Sequence, residues 1–184
     1  MIVKELLKTI LYRIRGDHTT ENLIKRGMKV GKNFNRLHGV ILDPAHCFLI
    51  TIGDNVTMAP NVHILAHDAS TCHSLGYAKI GRVNIGNNVF IGASSIVLPN
   101  VTIGDDVIIG AGSVVTKNLT SDGVYAGNPA KKLMSYTEYI EKQKNILEKN
   151  PVYGEDYTFR NKNFSETQRN EMYESLNKKY GFVR

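Results

Sequence analysis

The chain has 184 residues, enough for one domain with a small appendage, and its 42% hydrophobic and 22% charged content excludes a disordered chain. No apolar run reaches the roughly 18 residues of a membrane helix, and the basic opening stretch has no small-residue cleavage site, so a cytoplasmic protein without a secretory signal is expected. The formal net charge of +6 comes mostly from Lys and Arg near the two ends, without aromatic interleaving, so solvated helix faces are expected first and an anionic small ligand next, ahead of nucleic acid.

The first segment, residues 1–27, reads as helical. Ile2, Leu6, Ile10 and Ile14 fall on one stripe, with charges opposite. Thr20 is placed to cap a short helix over Glu21–Arg26 that Gly27 closes.

From about residue 28 a different rhythm takes over. Written in sixes, the chain reads IGDNVT and MAPNVH, breaks, and resumes as IGNNVF, IGASSI, VLPNVT, IGDDVI, IGAGSV and VTKNLT. The first position holds Ile52, Met58, Ile85, Ile91, Val97, Ile103, Ile109 and Val115. The fifth holds Val56, Val62, Val89, Ser95, Val101, Val107, Ser113 and Leu119. A period of six fits neither an α-helix nor a hairpin. It fits a solenoid whose triangular coils carry three short strands each, with the first-position residue pointing inward and Gly or Asn supplying the positive φ of the corners. Ile85–Thr102 and Ile103–Thr120 make full coils, and Val30-Gly31-Lys32-Asn33-Phe34 reads as a weaker opening hexad.

The break after Ile64, running over 65–83, predicts a protruding loop. Cys47 and Cys72 share no metal or redox spacing, and each is expected to be a buried free thiol. Beyond Gly127-Asn128-Pro129, which forces a turn, residues 135–184 read as a helical extension. SYTEYIEKQKNILEKN predicts a helix with Tyr136, Tyr139 or Ile140, and Ile146-Leu147 inward; Pro151–Asn163 reads as loop. Ser165 and Gln168 have capping-box spacing before a last helix.

The hexads, the loop beginning ILAHDAST and the close IGAGSVVTKNL…YAGNPAKK resemble the left-handed β-helix acyltransferases, and within them the bacterial sugar O-acetyltransferases related to galactoside, maltose and capsular-polysaccharide enzymes. The likeness covers about 28–134. It implies a mainly β fold, a left-handed parallel β-helix flanked by N-terminal and C-terminal α-helices. It further implies a homotrimer with active sites between subunits, acetyl-CoA as donor, a sugar or polysaccharide acceptor and no metal requirement. His67 stands where the family carries its general base. A neutral imidazole there can take the proton of a hydroxyl as it attacks a thioester, and no Ser or Cys paired with a base suggests a covalent intermediate. Asp68 is read in two ways, as orienting the imidazole or as holding the turn. Asp43 and His38 resemble the family's acceptor-contacting segment, although Asp43 before Pro44 also suits a turn start. Ala93 and Ala111 match positions that contact the donor's pantetheine arm through the main chain; Thr116 and Lys117 follow them, and Lys131 stands where relatives carry a basic residue near the nucleotide phosphates.

Other readings of the same solenoid remain open at this point. An amino-sugar nitrogen or a serine hydroxyl can serve as acceptor. A γ-type carbonic anhydrase needs three converging histidines on zinc, with His46, His63, His67 and His73 as candidates by count. A structural or ice-binding solenoid needs a flat array of identical outward residues, which the varied outward positions do not offer.

Overall fold

The computed structural model describes residues 18–184, and the stripe from Ile2 to Ile14 lies outside them. Two compact units divide the chain, one running to Tyr136 and the other covering Thr137–Arg184. Among the described residues no helix is long and apolar enough to cross a membrane.

Helix α1, Thr20–Lys25, opens the first unit. Its cap is Thr19, one residue earlier than the sequence suggests, because the Thr19 hydroxyl accepts the Asn22 N–H at 3.2 Å. The coils follow. The first carries β1 (Lys29–Val30), β2 (Asn35–Arg36) and β3 (Ile41–Leu42). The second carries β4 (Ile50–Ile52), β5 (Thr57–Met58) and β6 (His63–Ile64). It then breaks into a hairpin of β7 (His67–Asp68), a short helix α2 (Cys72–Leu75) and β8 (Lys79–Ile80). The third holds β9 (Val83–Ile85), β10 (Phe90–Ile91) and β11 (Ile96–Val97), and the fourth β12 (Thr102–Ile103), β13 (Val107–Ile109) and β14 (Val114–Val115). The last two strands, β15 (Gly123–Ala126) and β16 (Lys131–Met134), close the stack as an antiparallel pair.

These strands form three faces, β1-β4-β9-β12, β16-β15-β13-β10-β5-β2 and β14-β11-β6-β3, and every rung between coils is parallel. The register follows the hexads: Ile52 pairs with Ile85 and Ile85 with Ile103, and likewise Met58 with Ile91 and Ile91 with Ile109. All first-position and fifth-position residues are buried, and apart from Ser95 and Ser113 they form one continuous column of Ile, Val, Met and Leu. Each such side chain contributes roughly 1.5–3 kcal/mol by leaving water.

Fourth-position residues turn the corners. Asn55, Asn88, Ser94, Asn100, Asp106 and Gly112 all have positive φ, and Asn33, Asn55, Asn88 and Asp106 hand a side-chain hydrogen bond from coil to coil at 2.8, 3.0 and 2.9 Å. The second-position glycines do something else, since their φ values are not positive. A Cβ on Gly92 would lie 2.5 Å from the Ala111 nitrogen, so glycine is required there by the close approach of the next coil.

The opening coil departs from the pattern at Arg36, which occupies the position of an inward aliphatic and pairs with Met58. Among the described residues no further coil lies beyond this one, and the Arg36 guanidinium donates to the Val40 and His18 carbonyls. Cys47 is buried, its thiol reaching the Leu23 carbonyl, but Cys72 is exposed on α2, contrary to expectation, because the hairpin has no core of its own.

In the second unit α3 spans Tyr136–Leu147 and α4 spans Glu166–Ser175, the latter with the full Ser165–Gln168 capping box. The expected inward residues of α3 are half-buried except Leu147, which is exposed. The stretch expected to be loop contains β17 (Val152–Tyr153), which pairs with β18 (Phe182–Val183). Two-residue strands are too short to leave a periodic signal, and the partner lies at the far end of the unit.

Candidate functional site

Partner residues in successive coils lie 18 apart where the hexads are unbroken, as in Asn88 and Asp106. They lie 22 apart between the first and second coils and 33 apart between the second and third. Both insertions leave the prism at the same edge, the one that follows β3 and β6. The lower is the bulge Asp43-Pro44-Ala45-His46, which runs into a single 3-10 turn, Cys47–Leu49. The upper is the hairpin of β7 and β8. Asp43, His46 and His67 meet where one insertion rests on the other.

Asp43 is the joint. Its side chain is buried, with 1% of the residue exposed, and its two carboxylate oxygens take four hydrogen bonds. Oδ1 accepts the backbone N–H groups of Ala45 and His46, both at 3.1 Å. Oδ2 accepts the Ala66 N–H at 2.9 Å and a short bond from His67 Nδ1. Four donors use the full acceptor capacity of a carboxylate. Burial alone would raise the Asp43 carboxyl, but the bonds from His67 and from the His46 and Ala66 amides outweigh it and hold it below the ordinary aspartate range.

The ionised carboxylate requires a proton on His67 Nδ1, which in the neutral imidazole leaves Nε2 as the lone-pair nitrogen. The His67 side chain is 36% exposed, so that lone pair faces the open side of the edge. The ring stands at the root of the hairpin. Ala66, just before it, is fully buried and accepts the Gly81 N–H at 3.0 Å, and His67 pairs with Ile80 across the hairpin.

Asp68 does not orient the imidazole. Consecutive residues of a strand point to opposite sides, so a neighbour in β7 faces away from His67. Its Oδ1 accepts the Ser70 N–H at 2.8 Å and its Oδ2 pairs with Lys79 at 2.7 Å, and these bonds hold its carboxyl well below the usual range. Asp68 holds the turn. The acceptor-contacting reading of Asp43 also falls, because a buried carboxylate with four donors has no lone pair left for a sugar. His38 is exposed on the preceding edge, between β2 and β3, and does not join the group.

The sequence offers His46 only as a zinc candidate by count, and the structure brings its ring centroid 5.2 Å from that of His67. Asp43, His46 and His67 each offer a ligating atom within 4.8 Å of the others, which makes them the metal-capable set among the described residues. It comprises two histidines and a carboxylate, not the three histidines of a γ-type carbonic anhydrase. Within the set as folded His67 is hydrogen-bonded to Asp43 while His46 Nδ1 is not, and a metal ion would have to displace the His67 proton from Asp43. The signal that would have found this arrangement is the 22-residue first spacing, which puts the bulge and the hairpin on one edge.

Of the residues expected to hold a donor, Thr116 shares the edge of His67. Leu65 donates to the Val97 carbonyl at 2.9 Å and Leu98 to the Val115 carbonyl at 3.0 Å, which stacks the hairpin root below Thr116. Lys117 follows it, exposed. Ala93 and Ala111 stack on a different edge, between β10 and β11 and between β13 and β14, where the Gly112 N–H donates to the Ala93 carbonyl at 2.8 Å. Lys131 is exposed on β16, at the end of the six-stranded face. One chain therefore keeps Ala93 and Ala111 a full strand face away from His67.

A family model described as bacterial transferase hexapeptide (six repeats) matches residues 82–117. Protein CapG of Staphylococcus aureus is 46% identical over 99 residues, which are 52% of this chain and 58% of CapG, so the chain spans little more than half of that relative. A maltose O-acetyltransferase from Clostridium difficile is 39% identical, with a TM-score of 0.50 over 59% of each chain. A galactoside acetyltransferase solved in complex with coenzyme A is 30% identical, with a TM-score of 0.55 over 73% of this chain and 80% of that one. The chain belongs to the hexapeptide-repeat acyltransferase family, and its prism is the left-handed parallel β-helix of that family.

Proposed function

We propose that the protein is an O-acetyltransferase that moves an acetyl group from acetyl-CoA to a hydroxyl of a sugar or polysaccharide precursor. The observation that carries this reading is the buried Asp43 carboxylate, which holds His67 in one tautomer with Nε2 open. Support comes from the similarity to maltose and galactoside acetyltransferases, the second with coenzyme A bound.

In this reading His67 Nε2 takes the proton of the acceptor hydroxyl while the hydroxyl oxygen attacks the thioester carbonyl carbon. The carbonyl π electrons move to oxygen, where a backbone N–H supplies the stabilising donor. Collapse breaks the carbon–sulfur bond, and the imidazolium returns the proton to the departing thiolate. The products are an acetyl ester and free coenzyme A. Asp43 stays ionised throughout and stabilises the imidazolium, as a buried carboxylate does in other His–Asp pairs. Thr116, Lys117 and Lys131 fit a phosphorylated, thioester-bearing donor by position and charge, with the small Ala93 and Ala111 beside its pantetheine arm.

Because Ala93 and Ala111 lie on a different edge from His67, the working unit in this reading is a homotrimer in which a neighbouring copy supplies them. The compartment is the cytoplasm, where coenzyme A thioesters are kept. The test is acetyl-CoA-dependent thiol release with simple sugars, nucleotide sugars, amino sugars and serine, for the wild type and His67→Ala. A rate that rises with a hydroxyl sugar and falls with His67→Ala supports the reading. Equal acceptor-dependent rates in the two proteins remove His67 from its role, and release with amino sugars alone moves the reaction to nitrogen. Sedimentation equilibrium decides the trimer.

A further inference from the structure

We propose that His46 is a second acceptor-binding residue, whose Nε2 accepts a hydrogen bond from the hydroxyl adjacent to the one His67 deprotonates, so that the site selects a vicinal diol. This rests on the acetyl-transfer reading and names the feature of the acceptor that the site recognises.

His46 Nδ1 is buried and makes no hydrogen bond among the described residues. Asp43 Oδ1 lies 4.0 Å from it. That is too long for a hydrogen bond, yet close enough for the field of the anion to choose the tautomer. A lone pair facing a buried carboxylate is repelled, whereas an N–H is attracted. The proton therefore belongs on Nδ1, and Nε2 carries the lone pair. With Nδ1 sealed and the side chain 30% exposed, the exposure falls on the far edge of the ring, which includes Nε2. The ring packs between Phe48, with centroids 6.1 Å apart, and His67 at 5.2 Å and 45°. One carboxylate thus sets the tautomers of two adjacent imidazoles, one through a bond and one through its field.

Two neighbouring nitrogen acceptors are more than a single hydroxyl can use. A base needs only His67, and an acceptor with one hydroxyl leaves His46 to water. Adjacent hydroxyls of a pyranose satisfy both nitrogens and fix which oxygen faces the base.

Two measurements test this on the full-length protein. Nitrogen-15 spectra of histidine-labelled protein, assigned with single variants, are expected to report Nδ1–H tautomers at both His46 and His67. An Nε2–H tautomer at His46 overturns the proposal whether or not the protein transfers acetyl groups. The second measurement takes the best pyranoside of the acceptor panel and its monodeoxy derivatives. In the wild type, loss of the hydroxyl next to the reacting one is expected to lower kcat/KM roughly three- to tenfold, the worth of one hydrogen bond. His46→Ala is expected to show that loss already with the intact sugar and to be indifferent to the deoxygenation. His46→Gln, whose amide oxygen reaches the place of Nε2, restores the discrimination, and His46→Asn, which mimics Nδ1, does not. A His46→Ala enzyme as sensitive to deoxygenation as the wild type overturns the proposal, as does equal rescue by Gln and Asn. Absence of thiol release from the wild type with every acceptor is a failure of the transfer reading instead.

Discussion

Replacing Asp43 by Asn keeps the shape of the side chain and removes its charge, which makes it the sharpest probe of the site. Four donors converge on the native carboxylate, from Ala45, His46, Ala66 and His67. An amide has one oxygen. If that oxygen stays with the Ala45 and His46 amides, the NH2 group confronts the Ala66 N–H and His67 Nδ1. The Ala66 N–H, on a fully buried residue, then loses its partner, at a cost of about 1–3 kcal/mol. For a chain of this size that lowers Tm by about 2–4 °C per kcal/mol. The effect on rate is larger. His67 can keep a bond to the new amide only by accepting at Nδ1, which puts its proton on Nε2 and abolishes the base. The expected loss in kcat is on the order of 10²–10⁴, the range for removing a positioned general base. Asp43→Asn combined with His67→Ala should be no slower than His67→Ala alone, because the two act as one unit. Thiol-release kinetics, with urea unfolding on the same samples, give both numbers. An Asp43→Asn enzyme with wild-type kcat, or losses that multiply in the double variant, would refute the reasoning.

Asp68→Ala removes the neighbour of His67 in sequence but not its orienter, so kcat should stay within a factor of a few of wild type; a loss as deep as that of Asp43→Asn would return the orienting role to Asp68. Gly92→Ala inserts a methyl 2.5 Å from the Ala111 nitrogen and 2.8 Å from the Gly110 carbonyl carbon, both in the backbone of the next coil, so a destabilisation of about 1–3 kcal/mol or more is expected in urea melts. Gly76→Ala, at φ +75° with open space around the Cβ, should cost only about 1–2 kcal/mol of backbone strain and leave the coils intact. Acid unfolding provides a test with a defined sign. The Asp43 carboxyl is depressed in the folded state, so its contribution is fully present above the ordinary aspartate value and is lost as pH falls through the lower folded value. Asp43→Asn should flatten stability against pH in that acidic window, and unchanged curvature would contradict the four-donor arrangement.

The period of six determined most of the architecture. Each hexad carries its own instruction, an aliphatic to point inward and a small polar residue to turn the corner, and every coil repeats it. The inward column from Ile52 to Val115 is therefore legible residue by residue, and the interruption after Ile64 is legible as a loop but not as a hairpin. Arg36 was not, because the end of a stack obeys different packing from its middle. The glycines at second position were legible as corners but not for the right reason, since their need arises from the backbone of a coil 18 residues away.

His67 stood out because it opens the break in the rhythm. Its partner did not. Adjacency in sequence favoured Asp68, and the alternation of a strand turns that residue away. Asp43 lies 24 residues earlier and reaches the imidazole only because two insertions of different length leave the prism at one edge, one coil above the other. Local repetition thus determined the coils, while the meeting of Asp43, His46 and His67 was decided by stacking, which brings distant residues together through the register of rungs that no single hexad encodes.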